Sequence, residues 1–385
     1  MMINIGNDSK IDLPESGRVD VAILSRLLDD TTTSYKYFFF LALLDRIEKA
    51  STVSESGIDR PIPLDGLAVD MVLAAWYPHG FCRLSLGSQD MLQHAVDLIE
   101  WGPIRGSWIK AGGKEWKGLR SLCAARLDAK KLVRFVPFRL IRPFFAMETR
   151  GLADHSVNER VALLADELLT TRRPLYFFTA DRAAIVLQHD WIEYLERNAT
   201  ILRGWARFKL AGYLQSRNPN AVGIVEKLEP PLVRASLAKQ TAWWKVAIPL
   251  LGASARCIYT DEKLAIGAFT LDHYLPWSFV AHDRLWNLVP AAHEVNSAKS
   301  DRLPSPRYLE PFVRLQHGAI RALHGAWSEG EWLAAVEPYL IDLGLPKEAL
   351  LEADPTRLRS AYAATLATIM PVAERQGFAG GWEYG

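Results

Sequence analysis

The run Leu271-Asp272-His273-Tyr274-Leu275-Pro276, followed by Asn287 and then by Asn296 and Lys299, gathers side chains that could hydrolyse a phosphodiester. That reaction needs a base to deprotonate water and a divalent cation to offset the charge developing on phosphorus and on the leaving oxygen. His273 is the candidate base, because an imidazole of ordinary pKa, about 6.5, is largely neutral near pH 7. The Asp272 carboxylate and the Asn296 amide oxygen are hard donors suited to Mg²⁺ or Mn²⁺, which leave most of their shell to water and phosphate. Asn287 suits a bracing role, because its amide can donate and accept at once and so hold the loop that carries His273. Lys299 lies three residues beyond Asn296, on nearly the same helical face, and is placed to reach a phosphate.

These residues need particular elements to hold them. Neighbours on a strand point to opposite faces, so Asp272 and His273 can converge only where a strand stops or bulges, and Pro276 suggests that it stops there. Residues 256–259 and 268–271 read as two short strands around the polar turn 260–263, and a short helix is expected around 291–299. The expected order is strand, strand, helix.

Asp272-His273, Pro276, Ser278-Phe279, Asn287, Asn296, Lys299 and Ser300-Asp301 resemble the HNH (ββα-metal) nuclease motif, above all the version in type II CRISPR effector nucleases. The resemblance covers roughly residues 255–306. It implies a ββα-metal fold in which His273 activates water, Asp272 and Asn296 bind the metal, Asn287 braces the loop, and each site cleaves one strand. Cys257 sits where many HNH domains carry a cysteine in the first strand, but no second cysteine follows at CxxC spacing. No structural zinc is therefore expected. Thr31-Thr32-Thr33-Ser34-Tyr35-Lys36-Tyr37, Ala75-Trp76-Tyr77-Pro78-His79 and Gln215-Ser216-Arg217-Asn218-Pro219 resemble stretches of bacterial HNH proteins of restriction or phage-defence type.

The rest of the chain reads as helix. Apolar residues recur at three- and four-residue spacing over 21–29, 35–49, 88–99, 158–170 and 181–212, and again over 307–324, 329–343 and 355–376. The expected fold class is mainly α: a large helical N-terminal domain (1–235), a small ββα-metal domain (236–306) and a helical C-terminal segment (307–385). Residues 104–145 are locally basic. Lys110, Lys114, Lys117, Arg120, Lys130 and Lys131, interleaved with Trp108, Trp116, Phe135 and Phe138, suit a surface that tracks phosphates. The same stretch also suits a solvated face whose acidic partners come from elsewhere in the fold.

With 45 Lys and Arg against 44 Asp and Glu, the molecule is no polycation, and any contact with nucleic acid must be local. Three scattered cysteines oppose a disulfide framework, and no apolar run is long enough to span a bilayer, which points to the cytoplasm. The expected activity is metal-dependent cleavage of DNA, with RNA left open, in restriction or anti-phage defence. Paired cuts would call for a homodimer or for sequential nicking, and a defence-system protein is the other partner considered. The alternative is a catalytically silent HNH-fold module that binds nucleic acid or a partner protein.

Overall fold

A computed structural model describes residues 12–29, 31–51, 61–99, 114–231 and 235–385. Among these residues the chain is mainly helical with two small sheets. They fall into two compact units, one from Met1–Pro219 with Leu228–Pro230 and the other from Asn220–Lys227 with Pro231–Gly385. No helix among them is long and apolar enough to cross a membrane.

The first unit contains α1 (Tyr35–Ser51), α2 (Leu64–Ala75), α3 (Met91–Leu98), α4 (Lys114–Arg126), α5 (Asp154–Glu167), α6 (His189–Arg197) and α7 (Ala199–Arg217). α1 is central because it is apolar almost all round: Phe38, Phe39, Phe40, Leu43, Leu44 and Ile47 are all buried. α7 instead shows one apolar stripe, with Leu202, Trp205, Ala206, Leu210, Tyr213 and Leu214 inside. Asp90 joins two segments. One carboxylate oxygen caps α3 by accepting from the Leu92 amide at 2.9 Å, and the other accepts from the Ser34 amide at 2.7 Å.

The uninterrupted helix expected over 181–212 is corrected by the structure. A three-stranded antiparallel sheet runs β1 (Ile62–Pro63), β3 (Ala184–Leu187), β2 (Tyr176–Phe178), with Phe178 opposite Ile185. A four-residue apolar run such as Ala-Ile-Val-Leu has no period that separates strand from helix. The neighbouring aromatic strand and the Thr179–Asp181 turn decide it: the Asp181 carboxylate accepts from the Ala183 amide at 3.0 Å and from the Thr179 hydroxyl at 2.7 Å. The helical pattern beyond breaks at Asn198, which separates α6 from α7.

The second unit contains α8 (Ala238–Leu251), β4 (Thr270–His273), β5 (Leu288–Ala291), α9 (His293–Lys299), α10 (Leu309–His324), α11 (Glu329–Asp342) and α12 (Thr356–Arg375). One buried cluster joins Trp243 and Trp244 of α8, Leu288 and Val289 of β5, Phe312 of α10, Trp332 of α11 and Tyr362 of α12. The chain end closes this core as a strap. The Leu303 amide donates to the Ala379 carbonyl at 2.8 Å, the Trp382 amide to the Leu303 carbonyl at 2.9 Å, and the Ser305 amide to the Trp382 carbonyl at 2.9 Å.

Burial raises the phenol pKa of Tyr176, Tyr259, Tyr339 and Tyr362 well above its ordinary value of 10. Each stays neutral in the fold while its unfolded counterpart ionises, so the stability it contributes is complete below about pH 10 and is lost as pH rises further. Urea midpoints should therefore fall between about pH 9 and pH 11. A midpoint that holds or rises across that window would contradict the burial of these hydroxyls.

Candidate active site

The two strands of the ββα block are β4 and β5, paired antiparallel with Thr270 opposite Ala291, Asp272 opposite Val289 and His273 opposite Leu288. This corrects the expectation of a first strand at 256–259. That segment is a turn with a single bridge between Arg256 and Lys263. Residues 288–291 escape sequence reading because Pro290 argues against a strand, but a two-stranded ribbon has only edges, where a missing N–H is tolerated. α9 follows directly, giving the order strand, strand, helix.

β4 ends at His273. There the Tyr274 amide donates to the Asn287 carbonyl at 2.8 Å. The Asn287 side chain, fully buried, then clamps the next residue at two points: its oxygen accepts from the Leu275 amide at 2.8 Å and its nitrogen donates to the Leu275 carbonyl at 2.9 Å. Both partners are backbone, so no other side chain of this size satisfies the site equally well.

Asp272 is 2% exposed. One of its oxygens accepts from the Tyr259 hydroxyl at 2.5 Å, and the other lies 3.2 Å from the Lys299 ammonium. Lys299 is wholly buried and also donates to the His273 carbonyl at 2.6 Å. Burial pushes the Lys299 pKa down, and the Asp272 carboxylate opposes that shift. The placement of Lys299 as a phosphate-reaching side chain is therefore corrected: it faces inward, ties α9 to the end of β4 and balances the charge of Asp272.

His273 points its Nε2 at the Asp283 carboxylate, 2.7 Å away, with both side chains mostly shielded from solvent. A carboxylate can only accept, so Nε2 carries a hydrogen, and in the neutral imidazole Nδ1 is then the nitrogen with the lone pair. Asn296, half-buried on α9, donates through its amide nitrogen to the Thr270 hydroxyl and the Leu271 carbonyl, each at 3.1 Å. With its nitrogen tied down, its oxygen remains as the donor atom. His282 is not a competing base of ordinary strength: burial drives its pKa down to about 4. His293 is exposed at the start of α9.

Asp272, His273, Asn287, Asn296 and Lys299 thus share one ββα block. The proposed nucleic-acid residues belong to the first unit. Lys110 lies outside the described residues, as does the side chain of Lys114. Lys117 and Lys130 are exposed, Lys131 is exposed with Asp128 at 3.3 Å, and Arg120 is paired with Asp70, which Arg46 also engages at 2.5 Å. Arg120 is therefore a brace between α4 and α2 as well as a surface charge.

Sequence reasoning missed Asp283 and Tyr259. Asp283 had a signal, being the only carboxylate between His273 and Glu294. Tyr259 had none, since a hydroxyl 13 residues upstream of its partner gives no spacing to read.

The donor chemistry fits a hard divalent cation. A carboxylate and an amide oxygen, beside an imidazole of fixed tautomer, leave several positions for water and phosphate. Lys299 already stands at Asp272, so a cation would share that carboxylate with an ammonium. Among the described residues no three His, Cys, Asp or Glu side chains converge as a metal cluster.

No curated protein and no solved structure matches the chain. Residues 257–305 match the family model of the HNH endonucleases, so the block that carries Asp272, His273, Asn287, Asn296 and Lys299 is an HNH endonuclease domain.

Proposed function

We propose that the chain is a metal-dependent endonuclease that hydrolyses phosphodiester bonds in DNA with His273 as general base. The observation that carries this is the His273–Asp283 pair. A proton fixed on Nε2 leaves Nδ1 to accept one from water, while the carboxylate steadies the imidazolium that results. As that water oxygen bonds to phosphorus, the ester P–O bond breaks and its oxygen departs with the electron pair. Asp272 and Asn296 are the residues that would hold the cation. When bound, a divalent cation supplies Lewis-acid stabilisation of the charge on the phosphoryl and leaving oxygens. Mg²⁺ is the expected ion, with Mn²⁺ as its usual substitute. Asn287 sets the position of His273 through the backbone at 275, and Lys299 keeps the end of β4 docked on α9.

Lys117, Lys130 and Lys131 are the described cations offered to the DNA backbone, at a surface where phosphate neutralisation makes binding salt-dependent. The resemblance of the flanking motifs supports restriction or anti-phage defence as the setting. The test is conversion of supercoiled plasmid to nicked or linear form with Mg²⁺, Mn²⁺ or chelator, run beside single-stranded DNA, modified DNA and RNA. Cleavage that persists undiminished in chelator would sink the proposal.

A second reading is favoured by one observation: both oxygens of Asp272 are already occupied by Tyr259 and Lys299. In that reading the domain binds nucleic acid without turnover. Mn²⁺ titration followed by electron paramagnetic resonance separates the two, because a silent module leaves the ion free.

Asp283→Ala tests the dyad. The variant should lose about 10- to 100-fold in kcat with KM nearly unchanged, and Asp283→Glu should recover part of the loss. A kcat within about twofold of wild type would remove Asp283 from the mechanism.

A further inference from the structure

The first unit contains a cavity of about 890 Å³, in the size range of small-molecule sites. Its wall includes Thr31, Thr32, Thr33, Tyr35 and Lys36, the threonine-rich motif that the nuclease chemistry does not use. Among the described residues, five cationic side chains line it, Lys36 with Arg26, Arg139, Arg142 and Arg150, against two carboxylates, Asp29 and Asp154. Both carboxylates are already engaged: Arg139 holds Asp154 at 2.8 Å, and Lys209 holds Asp29 at 2.8 Å. Among the described residues neither the Arg26 nor the Arg150 guanidinium has an ion-pair partner, and both residues are exposed. Arg142 is steadied instead by Thr149, whose hydroxyl and carbonyl accept from it at 3.4 and 3.5 Å.

Among the described residues the cavity therefore presents the guanidinium groups of Arg26, Arg142 and Arg150 without an acid of the wall paired to them, beside Thr32 and Thr33. A phosphate group answers both features, since guanidinium forks and hydroxyls are its usual donors. Tyr35 adds a neutral phenol, its pKa raised to about 12 chiefly by burial. One wall residue does not fit inorganic phosphate alone. Phe135 is 43% exposed at the cavity, a large share for an apolar ring, and the Arg134 guanidinium lies 5.0 Å from its centroid. An aromatic face beside phosphate-binding cations is the pattern that receives a nucleobase joined to its phosphate.

We propose that this cavity binds a nucleotide, with its phosphate at Arg26, Arg142 and Arg150 and its base against Phe135. The nucleotide is either free or one unit of a nucleic-acid strand. The site lies wholly in the first unit and shares no residue with the HNH domain, so it stands or falls independently of the nuclease reading.

The test is calorimetric titration of the full chain carrying His273→Ala, which keeps oligonucleotides intact. The titrants are ATP, inorganic pyrophosphate and a short 5′-phosphorylated oligothymidine. ATP or the oligonucleotide should saturate the protein below about 1 mM. Arg26→Ala combined with Arg150→Ala should weaken that binding by at least about tenfold. Phe135→Ala should weaken nucleotide binding by about fivefold or more and leave any pyrophosphate binding nearly unchanged. Binding of ATP as tight as that of the oligonucleotide identifies a free nucleotide, and much tighter binding of the oligonucleotide identifies a strand. Saturation by pyrophosphate alone, saturation by none of the three, or affinity unmoved by the double substitution overturns the proposal. Circular dichroism checks that the exposed arginines are replaced without loss of fold.

Discussion

His273→Ala should lower the metal-dependent cleavage rate by about 10²- to 10⁴-fold, the contribution typical of a positioned general base. This corresponds to roughly 3–5 kcal/mol of transition-state stabilisation. The loss should fall on kcat, because a base in the proposed mechanism acts on the attacking water and not on the bulk of the substrate. Folding should survive, although Asp283 is then left without the donor it has in the native chain, at a cost of about 1–3 kcal/mol. Conversion of supercoiled plasmid, together with circular dichroism, measures both effects. Cleavage within about threefold of wild type would take the role of base away from His273.

Lys299→Met carries the largest expected effect on stability. The ammonium is completely buried, and its partners are the Asp272 carboxylate and the His273 carbonyl. Methionine is close in length but leaves Asp272, itself 2% exposed, with Tyr259 as its remaining donor. Breaking a buried pair from one side typically costs roughly 3–5 kcal/mol, because the surviving charge keeps its desolvation penalty. Adding Asp272→Asn removes that charge, so the double variant should regain a substantial part of the stability and yet cleave no DNA. Urea unfolding followed by tryptophan fluorescence reads the cycle. A single substitution that shifts the midpoint no more than an ordinary surface change would show that Lys299 is not the counter-charge of Asp272.

The two effects have different origins in the same few residues. His273 is held by Asp283 and, through the backbone at 275, by the Asn287 clamp, in the position the proposed base requires, whereas Lys299 is held for architecture. Its burial between β4 and α9 also fixes the strand end that presents Asp272 and His273. A substitution at Lys299 should therefore impair cleavage through position, even though the ammonium touches no solvent.

Much of this site could be read along the chain because its information is local. Asp272 and His273 are adjacent, Pro276 stops the strand, and Asn296 and Lys299 share one turn of helix. The amphipathic helices α10, α11 and α12 were equally readable, since burial on one face writes its period into the sequence, and α1 was readable from the length of its apolar run. Short elements were not. Residues 184–187 and 288–291 are four apolar residues each, and their state depends on a partner strand that sequence spacing does not reveal.

An HNH-type block ending in a short helix, a mainly helical chain around it, and the residue types that could act as base and metal donors are all legible in the order of residues, whereas the pairing of its two strands is not. What those side chains face depends on the folded chain: Lys299 turns inward against Asp272, Tyr259 reaches the same carboxylate from a turn, and Asp283 pairs with His273. The reason is that residue spacing fixes which side chains share a face or a turn. Burial and hydrogen bonding between distant segments fix their charge partners, and those contacts leave no period in the chain.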